Sequence, residues 1–207
     1  MAQRRIAPVV DKHDKQRTYR QQLGRHSRAM REEFYFEALL IDYAILEDRL
    51  RSVIYHMGLL ANRRSVGIWK KTRPYLLEVV QQYKNEDEND KLGLSNISGK
   101  MKIVRSVMRW AAESSTSEDD KYQKILRSQC RKLDLDECIK TLANISNWCD
   151  YRNEIVHALM NKNIDSVDAE LKNHAEEGLQ LARFLDSQER ILKQGNKIRK
   201  MMNLPLD

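Results

Sequence analysis

The stretch Tyr151–Met160, YRNEIVHALM, mixes groups able to do chemistry with groups that belong in a core. At about 100° per residue, a helix here lines up Ile145, Trp148, Arg152, Ile155 and Leu159 in one row. A guanidinium in an apolar row costs free energy unless something pairs with it. Pairing with a carboxylate such as Glu47 or Asp48 is one resolution; a functional role is the other. Asn153 and His157, four positions apart, are neighbours on the helix surface. Arg152 and His157 are separated by about 140° around the axis, so one helix does not aim both at a point directly. The reach of the arginine, or a second copy of the helix across a dimer, can bring them together.

These residue types suit phosphodiester chemistry. A histidine with a pKa of about 6.5 takes or gives a proton near neutral pH. Arginine carries a permanent fork of donors matched to phosphate oxygens and to charge developing in a transition state. Asn153 can orient either one. RNA supplies its own nucleophile, the 2′-OH, so no metal, cofactor or activated serine is required. Tyr151 and Trp148, beside the cluster, are able to stack on an unpaired base, although Trp148 at its spacing equally belongs to a core.

The net charge of +7 is uneven. Residues 1–31 hold nine Lys and Arg against Asp11 and Asp14, so the whole excess lies there. Such a segment neutralises phosphates and releases their counterions, which makes Arg20, Arg25 and Arg28 candidate RNA-binding residues. Other chemistry finds little footing. The chain has no phosphate-binding glycine loop, no G-x-S-x-G and no H-E-x-x-H. Cys130, Cys138 and Cys149 are odd in number without C-x-x-C spacing, and read as reduced, partly buried thiols rather than zinc ligands. Glu37, Asp42, Glu47 and Asp48 read as a solvated face or internal ion pairs, not a metal site. No long apolar run and no leader pattern are present, so the expectation is a soluble, cytoplasmic protein with no membrane contact.

The elements that must position the cluster are helical. Seven Gly and three Pro supply little turn punctuation, and no strand-like alternation of convincing length occurs. Residues 1–27 read as a basic, flexible arm, 28–195 as one helical domain, and 196–207 as a short basic tail. A long helix is expected from Ser27 to His56, with one stripe of Leu39, Tyr43, Leu46, Leu50, Val53 and Met57 and a second of Phe34, Ala38, Ile41 and Ala44 or Ile45. A turn follows at Gly58–Arg64, then a helix or two within Val66–Tyr83 and a polar loop at Asn85–Asp90. Ser98 is placed as the cap of a helix presenting Ile103, Val104, Val107, Met108 and Ala111. A short helix carries Tyr122 to Cys130. Asp134 or Asp136 caps the helix bearing the cluster. A last helix runs from Ser166 to Lys193 with Leu171, Ala175, Gly178 or Leu179, Ala182, Leu185 and Leu192 inward. The sum is an all-α, mostly up-and-down bundle of about five to seven helices.

Arg152-Asn153-x-x-x-His157 resembles the R-x(4–6)-H motif of HEPN-domain ribonucleases, in which a polar residue, often Asn, follows the Arg. Residues 30–195 suit the layout of that family, an all-α bundle with the motif on a late helix, and EALLIDYAILEDRL (37–50) is similar to its long early helix. The resemblance implies metal-independent RNA cleavage with Arg152, Asn153 and His157 as catalytic residues. It also implies a homodimer with a composite site, a role as toxin or antiviral-defence effector, and a neutralising antitoxin partner. The bare spacing also occurs at Arg20–His26, Arg51–His56 and Arg49–His56. A different class of reading stays open: a non-catalytic helical module that binds nucleotide or RNA, or pins a dimer.

Overall fold

A computed structural model of the chain describes residues 12–61, 96–113, 121–158, 161 and 164–201. The expected helices within 66–83, the loops at 85–90 and 114–120, the outermost arm residues 1–11, and Leu159 and Met160 lie outside the described residues. Six helices are described: α1 (Lys12–Arg31), α2 (Tyr35–Ala61), α3 (Ile97–Ala112), α4 (Lys121–Cys130), α5 (Leu135–Ala158) and α6 (Ile164–Met201). The described residues contain no strand, and the fold is an all-α bundle. None of these helices is long and apolar enough to cross a membrane.

The apolar stripes select the interior. Leu39, Leu46, Leu50, Val53 and Met57 of α2 are buried, as are Ile103, Val104, Val107, Met108 and Ala111 of α3. In α6 the choice falls on Gly178, with Leu171, Ala175, Ala182, Leu185 and Leu192. Helix α2 is central: it packs on α1, α3, α4 and α6, and α6 is its main partner. Facing pairs rise together along both chains, from Ala38 with Ala175 to Arg49 with Asp186 and His56 with Glu189, so α2 and α6 run parallel. Helices α1 and α5 lie antiparallel to α2 and α6 respectively, through Arg25–Glu37 and Tyr19–Asp48 in one case and Trp148–His174 and Tyr151–Glu170 in the other.

Several boundaries differ from expectation for local reasons. The single helix from Ser27 is two helices. Helix α1 ends where Phe34 N donates to Ala29 O (2.7 Å) around Glu33, whose φ is 62°. That is a Schellman-type closure, with glutamate where glycine is usual. Phe34 is thereby turned outward, 63% exposed, instead of joining the inner stripe. Residues 12–27, expected as flexible arm, are helix docked on α2. Helix α2 runs through the expected turn at Gly58 to Ala61. Asn96, not Ser98, caps α3, accepting from Gly99 N at 2.7 Å. Asp134 caps α5, accepting from Glu137 N at 3.0 Å. At the other end of α3, Arg127 and Arg131 donate to the carbonyls of Trp110, Ala111 and Glu113, which the helix itself leaves unpaired. The three cysteines are free and buried, and burial pushes each thiol up to about 12.

Charge is also placed inside. Arg49 donates to Asp186 (2.7 Å) and Glu189 (2.6 Å) across the α2–α6 contact and stacks on Tyr19 of α1 at 4.0 Å. Burial raises the Glu189 carboxyl, but hydrogen bonds from His56 and Ser52 and the Arg49 charge outweigh it and hold the pKa at about 2. Because the folded value lies below the ordinary 4.5, this group adds stability above pH 4.5 that is lost as pH falls toward 2. Urea unfolding of wild type is expected to lose on the order of 3 kcal/mol from this group across that window, and Glu189→Gln to show a correspondingly shallower acid slope. At the α1 closure, Glu33→Gly is expected to raise unfolding free energy by about 1 kcal/mol, because only glycine adopts that φ without strain.

Candidate functional site

Helix α5 is anchored by Trp148. Its ring is 1% exposed, its Nε1 donates to His174 O at 2.7 Å, and it stacks on the His174 ring at 5.9 Å. Gly178 of α6 lies against the same ring. A Cβ there would stand 2.7 Å from Trp148 Cζ2 and 3.0 Å from Asp42 Cβ, so the glycine is required for α2, α5 and α6 to meet. Trp148 is therefore sealed in the core and is not a base-stacking surface. Tyr151 is half-buried and turned toward α6, its hydroxyl donating to Glu170 and its ring 4.0 Å from that of His174. Burial, with the Glu170 contact behind it, pushes its phenol up to about 12.

One turn beyond Trp148, the same stripe brings Arg152 to the edge of the core. Ile145 and Ile155 on either side are buried, while Arg152 is half-buried. Its Cζ lies 4.6 Å from the centroid of the Tyr43 ring, and its Nη1 donates to Asn153 Oδ1 at 3.0 Å. Its Nε is buried without a partner. The carboxylates expected to pair with it are engaged elsewhere. Glu47 accepts from the buried Lys100 at 2.7 Å and stands 3.6 Å from Arg51. Asp48 accepts from Tyr19 at 2.9 Å and pairs with Lys15 at 3.0 Å. Among the described residues, then, Arg152 keeps a positive charge that no carboxylate neutralises. It is held by an aromatic face and an amide, both of which leave it able to bind an anion. Asn153 and His157 are exposed, and no hydrogen bond joins His157 to Arg152 within the chain.

The other Arg–His spacings meet different fates. Arg49 and His56 converge on Glu189, but two carboxylates already satisfy the arginine. His56 also meets the Tyr55 ring edge-on. Arg51 is exposed and turned to Glu47. Arg20 is exposed, whereas His26 is buried on the opposite face of α1, where Nε2 lies 3.2 Å from both carboxylate oxygens of Asp42. Asp42 is thus not on a solvated face. Burial lifts its carboxyl to about 6, and the bond from His26 offsets only part of that. Of the basic residues singled out on α1, Arg20 and Arg28 are exposed, and Arg25 is tied to Glu37 at 3.2 Å. No group of three His, Cys, Asp or Glu side chains among the described residues is arranged to hold a metal ion.

Sequence reasoning missed Tyr43 as the platform under Arg152. Tyr43 sat in the inner stripe of α2, and its position at the rim of that stripe was the available signal. It also missed the His26–Asp42 pair, for which the chain offers no local signal. Comparison with protein-family models, with curated proteins and with solved structures finds no match to this chain. Gly178→Ala is expected to destabilise the fold by about 2 kcal/mol in urea titrations, because the added methyl overlaps the Trp148 ring in a packed interior.

Proposed function

We propose that this chain is a metal-independent endoribonuclease of the HEPN type, acting as a homodimer. The observation that carries the reading is Arg152: a cation set in an apolar row, stacked on Tyr43, steadied by Asn153 and left without a carboxylate among the described residues. A charge kept unpaired at the edge of a low-dielectric core attracts an anion more strongly than one in water. An RNA phosphodiester is the anion that gives the neighbouring His157 a task.

In this mechanism His157 removes the proton of the 2′-OH as general base. The 2′-oxygen attacks the adjacent phosphorus, the P–O5′ bond breaks, and the leaving 5′-oxygen takes up a proton. The products are a 2′,3′-cyclic phosphate and a free 5′-hydroxyl. Arg152 binds the non-bridging oxygens and stabilises the charge they gain, while Asn153 orients Arg152. His157 and Arg152 stand about 140° apart around α5 and no hydrogen bond joins them, which is why the reading takes two chains and a composite site. The cellular setting that goes with such an enzyme is a toxin or antiviral-defence effector held in check by a neutralising partner.

The same unpaired Arg152 also supports a second reading, a non-catalytic module that binds a nucleotide phosphate there. The two are separated by incubating wild type, His157→Ala and Arg152→Ala with mixed single-stranded RNA in EDTA. The nuclease reading expects cleavage by wild type with 2′,3′-cyclic phosphate ends, and a loss of about 10²- to 10⁴-fold in each variant. An inert wild type would leave the binding module.

A further inference from the structure

Helix α1 has two faces. One docks on the bundle: His26 on Asp42, Tyr19 on Asp48, and Ala29 in a small cluster with Ala38 and Ala175. The other carries Arg17, Arg20, Gly24, Arg28 and Arg31, all exposed. At about 100° per residue these five positions fall within roughly 80° of arc, opposite His26. They span about 21 Å of helix, with a cation on about every turn except at Gly24.

The fold does not explain this stripe. A favourable interaction with the helix C-terminus accounts for Arg28 and Arg31 but not for Arg17 and Arg20. Arg20 and Arg28 form no ion pair among the described residues, and the contacts Arg17–Asp14 (2.8 Å) and Arg31–Glu32 (3.0 Å) are exposed and weak. Gly24 is stranger still. Glycine inside a helix is destabilising relative to alanine, and a Cβ at this position would meet nothing within 4 Å. No packing contact calls for it. A bare stretch of helix backbone, flanked above and below by arginines, is a notch that lets another backbone come close.

We propose that this face of α1 is a docking saddle for the sugar-phosphate backbone of RNA, with Gly24 as its floor and Arg17, Arg20, Arg28 and Arg31 as its phosphate contacts. Arg25 lies about 60° around the helix beyond the stripe, on the side of Glu37, and is not part of it. The five positions hold no large apolar side chain, and the exposed Leu23 beside them is a single one, too little to anchor in lipid, which favours a polyanion over an acidic membrane. The saddle stands whether or not α5 cleaves RNA, so its test uses a substrate that cannot be cleaved.

Fluorescence anisotropy of the full chain with a short single-stranded 2′-O-methyl RNA, which lacks the free 2′-OH, reads binding alone. Salt is varied from about 50 to 200 mM. Replacing Arg20 and Arg28 together by Gln is expected to reduce the slope of log affinity against log salt by about 1.4, at about 0.7 per lost phosphate contact. Arg25→Gln is expected to leave the slope unchanged. Gly24→Ala is expected to raise the melting temperature and yet weaken RNA binding several-fold, a combination that a merely structural glycine does not produce. An unchanged slope in the double variant, or Gly24→Ala binding as tightly as wild type, overturns the proposal. So does wild type that binds phosphatidylserine vesicles and ignores the RNA.

Discussion

The parallel contact between α2 and α6 is the constraint on which the rest of the molecule depends. At one end Ala38, Ala175 and Gly178 let the helices approach closely enough for Trp148 of α5 to close over the join. At the other, Arg49 bridges to Asp186 and Glu189 and carries Tyr19 of α1 on its outer face. Small residues set the distance and charges set the register. Side chains packed at crystal-like density leave little freedom to slide. Helix α5 is therefore oriented by its tryptophan, and with it the direction in which Arg152 leaves the core.

Two half-buried arginines show how context assigns different roles to one side chain. Arg49 faces two carboxylates, and its charge is spent on holding three helices together. Arg152 faces a tyrosine ring and an amide. Neither neutralises it, and both restrict its motion. Removing a guanidinium from water without a counter-charge is unfavourable, and the fold tolerates it here by leaving the group only half covered. In the function we propose, the same feature that is a weakness for stability is what holds the phosphate.

Helix α1 adds a second electropositive surface, and its chemistry is divided by face. Toward the bundle it offers tyrosine, histidine and small residues; toward solvent it offers arginines around a glycine. The docking joins polar contacts, His26 on Asp42 and Tyr19 on Asp48, to the small buried cluster of Ala29, Ala38 and Ala175. A helix held this way puts only Ala29, Met30 and Tyr19 against apolar clusters, too few for a continuous stripe, which is why its pattern did not announce it.

Much of the fold was legible in the chain. The all-α class, the inward residues of α2, α3 and α6, and the short helix ending at Cys130 all follow from period and punctuation, because a 3.6-residue repeat of apolar residues has one stable use. The row joining Ile145, Trp148, Arg152 and Ile155 was legible for the same reason. Periodicity says which face is apolar and nothing about what meets it. The docking of α1, the break at Glu33, the sealing of Trp148 and the platform Tyr43 makes for Arg152 were decided by tertiary structure. So were the partners that each arginine of the Arg–His spacings meets. Whether an arginine is spent or free depends on carboxylates as far away as 140 positions in sequence, and only the packed chain brings those within reach.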